Sequence, residues 1–118
     1  LSGFLTTHVL DTANGRPAAG LEIELAGIGG NGERRIIKTA RTNEDGRTDE
    51  PLLPRAEFGT GVYEILFHVG EYFAGGQDLP DPPFLDRVPV RFGVSDADAH
   101  YHVPLLVSPY SYSTYRGS

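Results

Sequence analysis

The sequence predicts an all-β sandwich, and three observations point that way. Apolar residues alternate at period two far more often than they recur at the 3.6-residue period of a helix. Gly, Pro, Asn and Asp interrupt the chain at short intervals, as the turns between many short strands require. The uninterrupted runs then number about eight, enough for two sheets packed face to face.

Phe4 to Leu10 is the first expected strand, with Phe4, Thr6, His8 and Leu10 on one face and Leu5, Thr7 and Val9 on the other, followed by a turn at Asn14-Gly15-Arg16-Pro17. Leu21 to Leu25 alternates most cleanly: Leu21, Ile23 and Leu25 face a core while Glu22 and Glu24 face water. Gly27 to Gly32 connects it to a strand over Arg35 to Thr42, closed by the turn residues Asn43-Glu44-Asp45-Gly46, with Arg47 just beyond. Leu52-Leu53, between Pro51 and Pro54, is a minor edge segment because proline cannot donate to a ladder. Gly61 to Val69 is a strand with Tyr63, Ile65, Phe67 and Val69 on one face, and Glu71 to Ala74 is the single helical turn or two. The Gly75 to Pro83 stretch is a loop, Val88 to Val94 is a strand that Pro89 places at an edge or on the solvent side, and His100 to Val107 and Tyr110 to Tyr115 complete the set.

At 118 residues the chain suits one compact domain over 1–118, burying roughly two-thirds of the surface its unfolded form exposes. Hydrophobic residues make up 39% and charged residues 22%, which is ordinary for a globular protein and excludes disorder along the whole length. The net charge of −6 and the scatter of the ten Lys and Arg argue against a nucleic-acid partner, which needs a clustered basic surface. With no Cys there is neither a disulfide framework nor a thiolate metal site. No apolar run approaches the roughly 20 residues that span a bilayer, so no membrane partner is expected. The compartment stays open because the chain begins at Leu1 and contains no Met. Cytoplasmic placement is expected, or periplasmic or peroxisomal placement should a leader or targeting segment precede Leu1.

Chemistry concentrates in His100-Tyr101-His102, where strand geometry projects both imidazoles from one face. Three readings are open. The pair can be two ligands of a zinc ion with His8 or His68 as a third; it can be one solvated and one structural histidine, the commoner case for a lone His-x-His; or it can do acid–base work, which the near-neutral pKa of imidazole suits. Arg47, taken alone, reads as a solvated turn residue, although a planar guanidinium can hold a carbonyl-rich or anionic heterocycle through two hydrogen bonds. The carboxyl end, Tyr110 to Ser118, reads either as an aromatic edge strand with a frayed tail or as a dense polar cluster.

Three blocks resemble one family: Leu5-Thr6-Thr7-His8-Val9-Leu10-Asp11, Thr42-Asn43-Glu44-Asp45-Gly46-Arg47, and His100-Tyr101-His102-Val103-Pro104-Leu105-Leu106-Val107-Ser108-Pro109-Tyr110 running on to Tyr115-Arg116-Gly117-Ser118. In this the chain resembles the transthyretin-related 5-hydroxyisourate hydrolases over essentially its whole length. Tyr115-Arg116-Gly117-Ser118 is the most specific block, since the hormone carrier transthyretin lacks it. The Gly29 to Gly32 connection, the Asp78 to Pro83 loop and Asp86 depart from the family pattern without touching a matched site position.

The resemblance implies a transthyretin-like sandwich of two four-stranded sheets that forms a homotetramer, a dimer of dimers with the substrate clefts at the dimer–dimer interface. It implies addition of water to 5-hydroxyisourate with opening of the six-membered ring to 2-oxo-4-hydroxy-4-carboxy-5-ureidoimidazoline, with no metal or organic cofactor. Carried over by position, His8, Arg47, His102 and Ser118 are the expected catalytic residues. His8, Arg47, Tyr115 and, more weakly, His100 are the expected substrate contacts. Two rivals remain: a non-catalytic transthyretin-like carrier, in which that polar set would be unfavourable against an apolar hormone, and an adhesive or carbohydrate-binding sandwich with surface or zinc-bound histidines.

Overall fold

A computed structural model describes residues 3–54 and 56–117. Two layers enclose one apolar cluster. The first is an antiparallel sheet in the order β5-β4-β6-β7, formed by β4 (Glu22–Ile28), β5 (Arg34–Arg41), β6 (Gly61–Phe67) and β7 (Val88–Val94). Its inner face supplies Ile23, Leu25, Ile65, Phe67, Val88 and Val90 to the core. On its outer face Glu64, at 10% side-chain exposure, is held by Arg34 on β5 at 3.0 Å and Arg91 on β7 at 3.1 Å, and Arg34 also pairs with Glu24 at 2.7 Å. A carboxylate in so enclosed a position needs such partners. β7 pairs with β6 alone, so Pro89 lies on an edge strand as expected, where its missing N–H costs no ladder bond.

The second layer bends. β1 (Phe4–Thr6) pairs with β8 (His100–His102), and β2 (Val9–Asp11) pairs with β9 (Leu105–Val107) in a sheet of order β10-β9-β2-β3, where β3 is Arg16–Pro17 and β10 is Tyr112–Thr114. Both pairings are parallel and share one register, Phe4 opposite His100 and Val9 opposite Leu105. The expected strands Phe4 to Leu10 and His100 to Val107 are therefore present but interrupted, at Thr7-His8 and at Val103-Pro104. Pro104 has no N–H to donate, and its ring restricts Val103. The ladder crosses the gap through Val103 N–H to the Thr6 carbonyl at 3.0 Å, Leu105 N–H to the His8 carbonyl at 2.9 Å and the Thr7 hydroxyl to the Val103 carbonyl at 2.7 Å. These two breaks and β3, in what reads from sequence as a turn, add three strands while Leu52-Leu53 is reduced to a bridge, so about eight expected strands become ten among the described residues. His8 and His102 consequently stand at the bend, not at strand centres as the alternation suggests.

Leu52-Leu53 contributes one bridge, Leu53 to Leu5, in keeping with its flanking prolines. The helix, α1 (Val69–Ala74), begins two residues earlier than expected and takes Val69 out of the β6 strand pattern while keeping it in the core. No helix among the described residues is long and apolar enough to cross a membrane.

Asp11, buried at the end of β2, fastens α1 to the bent layer. Its carboxylate accepts from the Asn14 backbone N–H at 2.9 Å, the Asn14 side-chain amide at 2.7 Å and the Tyr72 hydroxyl at 2.8 Å. Burial pushes its pKa up, but the Asn14 and Tyr72 hydrogen bonds outweigh burial and hold it below the ordinary value of 3.8. The folded state then binds fewer protons than the unfolded state between these two pKa values, so stability rises with pH there. The contribution is complete above the ordinary value and is lost as pH falls through the folded pKa. Asp11→Asn is expected to remove this part of the acid dependence, read as a shallower fall of denaturation midpoint with pH; an unchanged slope would refute the role given to Asp11.

Candidate active site

Along the bent layer the residues of one parity point out of the core. Thr6 and His8 from the first strand pair and His100 and His102 from β8 share this outer side, all partly exposed, while Leu5, Thr7, Val9, Tyr101 and Val103 are buried behind them. The parallel register sets Thr6 directly opposite His102. The Thr6 hydroxyl oxygen lies 2.6 Å from His100 Nε2 and 2.8 Å from His102 Nδ1. A hydroxyl carries one proton, so it can donate to only one of these nitrogens, and the other ring must donate to it. With both rings neutral, protonation of His102 Nδ1 leaves His102 Nε2 as a bare base. Protonation of His100 Nε2 instead turns the Thr6 proton toward His102 and leaves His102 Nε2–H as an acid. One hydroxyl thus ties the tautomers of two histidines together.

His100 is fixed further by stacking on Phe4, with ring centroids 4.1 Å apart and planes 11° from parallel. His8 is fixed by its Nε2, 2.8 Å from the Asp45 carbonyl oxygen. A carbonyl only accepts, so this nitrogen carries a proton and Nδ1 is the basic atom of neutral His8. The same contact belongs to the turn that delivers Arg47. Within that turn Asn43 Oδ1 accepts from the Asp45 and Arg47 backbone N–H groups at 2.9 and 3.2 Å, and the Gly46 carbonyl accepts from Val9 N–H at 2.8 Å, docking the turn on β2. Gly46 adopts φ +76°, and a Cβ there would lie 2.4 Å from the Val9 carbonyl oxygen, so only glycine permits the approach.

Thr6 and Thr7, Arg47 to Pro51, and His100 and His102 line a groove of about 400 Å³. The pKa of His102 is lowered, first by burial and then by the positive charge of Arg47 and the neighbouring His100 and His8. The ring is therefore held neutral at neutral pH, as a base near a guanidinium.

The tail approaches from the other direction. Gly117 N–H donates to the His102 carbonyl at 2.7 Å, and a Cβ on Gly117 would meet His102 Cδ2 at 2.8 Å. Arg116 places its guanidinium carbon 4.2 Å from the centre of the Tyr101 ring. Hydrogen bonds from the Ser95 hydroxyl and from the Ser95 and Asp96 N–H groups lower the pKa of the Tyr101 hydroxyl, with Arg116 adding to the effect.

Of the residues singled out from sequence, His100, His102 and Arg47 line the groove, and His8 stands close enough to bear on His102 electrostatically. Tyr115 is 58% exposed and lies outside the groove lining. Ser118 lies outside the described residues. Neither His8 nor His68 joins His100 and His102 in a group of three metal-ligating side chains among the described residues. Sequence reasoning missed Thr6, Gly46 and Gly117. The period-two parity that puts Thr6 beside His8 was a usable signal for the first, whereas the close approaches at the two glycines exist only in three dimensions.

Comparison with known proteins identifies the family. The profile of the HIUase/Transthyretin family matches residues 5–117. "5-hydroxyisourate hydrolase 2" of Rhizobium meliloti (strain 1021) is 63% identical over 118 residues, covering 99% of this chain and 98% of the relative. The crystal structure of an (S)-allantoin synthase superposes with a TM-score of 0.90 at 50% identity over 98% of this chain, which spans 44% of that longer protein. The structure of Klebsiella pneumoniae 5-hydroxyisourate hydrolase superposes with a TM-score of 0.78 at 31% identity, covering 98% of this chain and 99% of that one. The chain belongs to the HIUase/Transthyretin family.

Proposed function

We propose that this protein hydrolyses 5-hydroxyisourate to 2-oxo-4-hydroxy-4-carboxy-5-ureidoimidazoline in urate degradation, with the chemistry carried out in the Thr6–Arg47–His102 groove. The observation that carries the site is a neutral His102 whose Nδ1 is held by Thr6 beside a guanidinium. The enzyme reading is further supported by full-length identity to a hydrolase of that name.

His102 Nε2 takes a proton from the attacking water while Nδ1–H passes its proton to the Thr6 oxygen and Thr6 passes its own to His100 Nε2. The water oxygen bonds to the ring amide carbonyl, and Arg47 stabilises the oxyanion that forms. Collapse of this intermediate breaks the carbon–nitrogen bond, and the departing nitrogen takes the proton from His102 Nε2–H. Return of the proton from His100 through Thr6 to His102 Nδ1 restores the starting tautomers. His8, with Nδ1 as its basic atom, helps to hold the water or the substrate.

Tyr115 is assigned to substrate contact across a subunit boundary in a homotetramer, and Ser118, outside the described residues, keeps the catalytic assignment that the family resemblance gives it. Supporting this, Tyr110, Tyr112 and Tyr115 are exposed on and beside β10, which pairs with β9 alone and is the edge strand of its sheet. Exposed aromatic side chains gathered at a sheet edge form a surface that a second subunit can cover. A carrier function is disfavoured because the groove presents imidazoles and a guanidinium where an apolar hormone would need hydrocarbon.

His102→Asn is expected to lower turnover of 5-hydroxyisourate, generated in situ and followed by its ultraviolet decay, by about 100-fold or more with the fold retained; an unchanged rate would remove His102 from the mechanism. Thr6→Val, nearly isosteric, is expected to lower kcat by about ten-fold or more with little change in KM, and Thr6→Ser to restore it. A KM effect alone would make Thr6 a packing residue. Because the Arg47 charge opposes protonation of His102, Arg47→Gln is expected to raise the midpoint of the His102 titration, followed by NMR, toward the ordinary 6.5; a lower or constant midpoint would contradict the electrostatic coupling.

A further inference from the structure

Away from the groove, His68 poses a separate question. It caps α1 at the end of β6 with only 6% of its side chain exposed, and neither ring nitrogen has a hydrogen-bond partner. Two unpaired nitrogens in an enclosed ring are costly, and such a group calls for an explanation. The ring is aimed at two carboxylates from different elements: Nδ1 lies 3.9 Å from Glu22 Oε2 on β4 and 3.8 Å from Glu71 Oε2 in the first turn of α1. These separations exceed a hydrogen bond. They lie within a few tenths of an ångström of the spacing between ligands that share a metal ion bound at about 2.0–2.2 Å.

We propose that Glu22, His68 and Glu71 bind a divalent transition-metal ion, zinc in the first instance. One imidazole nitrogen with two carboxylate oxygens is a donor set for zinc or a neighbouring first-row ion, and it lacks the all-oxygen shell that calcium or magnesium takes. The framework is in place without the ion. His68 N–H already donates to the Glu22 carbonyl at 3.0 Å, which fixes the β4–β6 junction on which two ligands stand. Arg41 occupies Glu22 Oε1 at 3.0 Å and leaves Oε2 turned to His68. Glu71, with 63% of its side chain exposed, is free to close the last few tenths and leaves the outer coordination positions to water. Coordination satisfies Nδ1, so that Nε2–H remains as the single unpaired group of the ring. The ion would clip β4 to the start of α1 on the sheet opposite the bent layer, which makes the site structural and independent of the proposed reaction.

The test is calorimetric titration of chelator-treated, full-length protein with zinc chloride, in a His100→Asn/His102→Asn background so that the strand histidines cannot take the ion. One equivalent per chain is expected to bind and to raise Tm. Adding Glu71→Gln, which alters an exposed side chain and leaves the core intact, is expected to weaken binding by about ten-fold or more, as is adding Glu22→Gln. In an otherwise native chain, Glu71→Gln is expected to leave hydrolysis of 5-hydroxyisourate unchanged. Absence of zinc binding in the background protein, or equal affinity after both glutamate substitutions, would overturn the site.

Discussion

Everything at the groove depends on one constraint, the parallel pairing of the first strand run with the run from His100 to Val107. Parallel neighbours need a crossover, and here most of the chain lies between the two partners, so the pairing is a long-range contact that closes the sandwich end to end in sequence. Its register is enforced from behind. Leu5, Val9, Tyr101, Val103 and Leu105 are buried on the inner side, and a slip by one residue would turn all of them outward. The outer side inherits that precision at no further cost in packing, which is why a threonine and two histidines from opposite ends of the chain meet within hydrogen-bonding distance.

The bend in that layer follows from local chemistry. Pro104 withholds an N–H from the ladder, and the buried Thr7 hydroxyl answers by bonding across to the Val103 carbonyl. The layer changes direction there, and His8 and His102 come to stand on either side of the change. The Asn43 to Arg47 turn then docks on β2 through Gly46, a contact that tolerates no Cβ, and brings its guanidinium to the groove. Arg47 is thus exposed yet positioned, because its backbone and not its side chain is what the fold holds.

The two layers spend their polar groups differently. On the antiparallel sheet, Glu64 is enclosed by two arginines and Glu24 shares one of them, an arrangement in which each charge has an opposite and the outer face is held rigid. On the bent layer, His102 is partly buried beside Arg47, His100 and His8, and among the described residues these positive neighbours and burial disfavour its proton. The two faces of the sandwich thus treat their ionisable groups in opposite ways, and the bent layer is the one on which the reaction is proposed. His68, on the structural side, is the exception, with both ring nitrogens unpaired and Nδ1 facing two carboxylates.

Strand identity was legible in the sequence because it depends on side-chain parity, which neighbouring residues determine by themselves. Leu21 to Leu25, Gly61 to Phe67 and Val88 to Val94 alternate as they pack, and the same parity already put Thr6 beside His8 and His100 beside His102. Residue type likewise marked the imidazoles and Arg47 as candidates, and the matched blocks gave them roles. What parity could not supply was distance. That Thr6 bridges two histidines, that Gly46 and Gly117 are pressed against Val9 and His102, and that His68 looks toward Glu22 and Glu71 all arise between segments far apart in the chain. The breaks at His8 and His102 were hidden for the same reason: a strand ends where its partner stops supplying hydrogen bonds, and only the tertiary structure decides which segment that partner is.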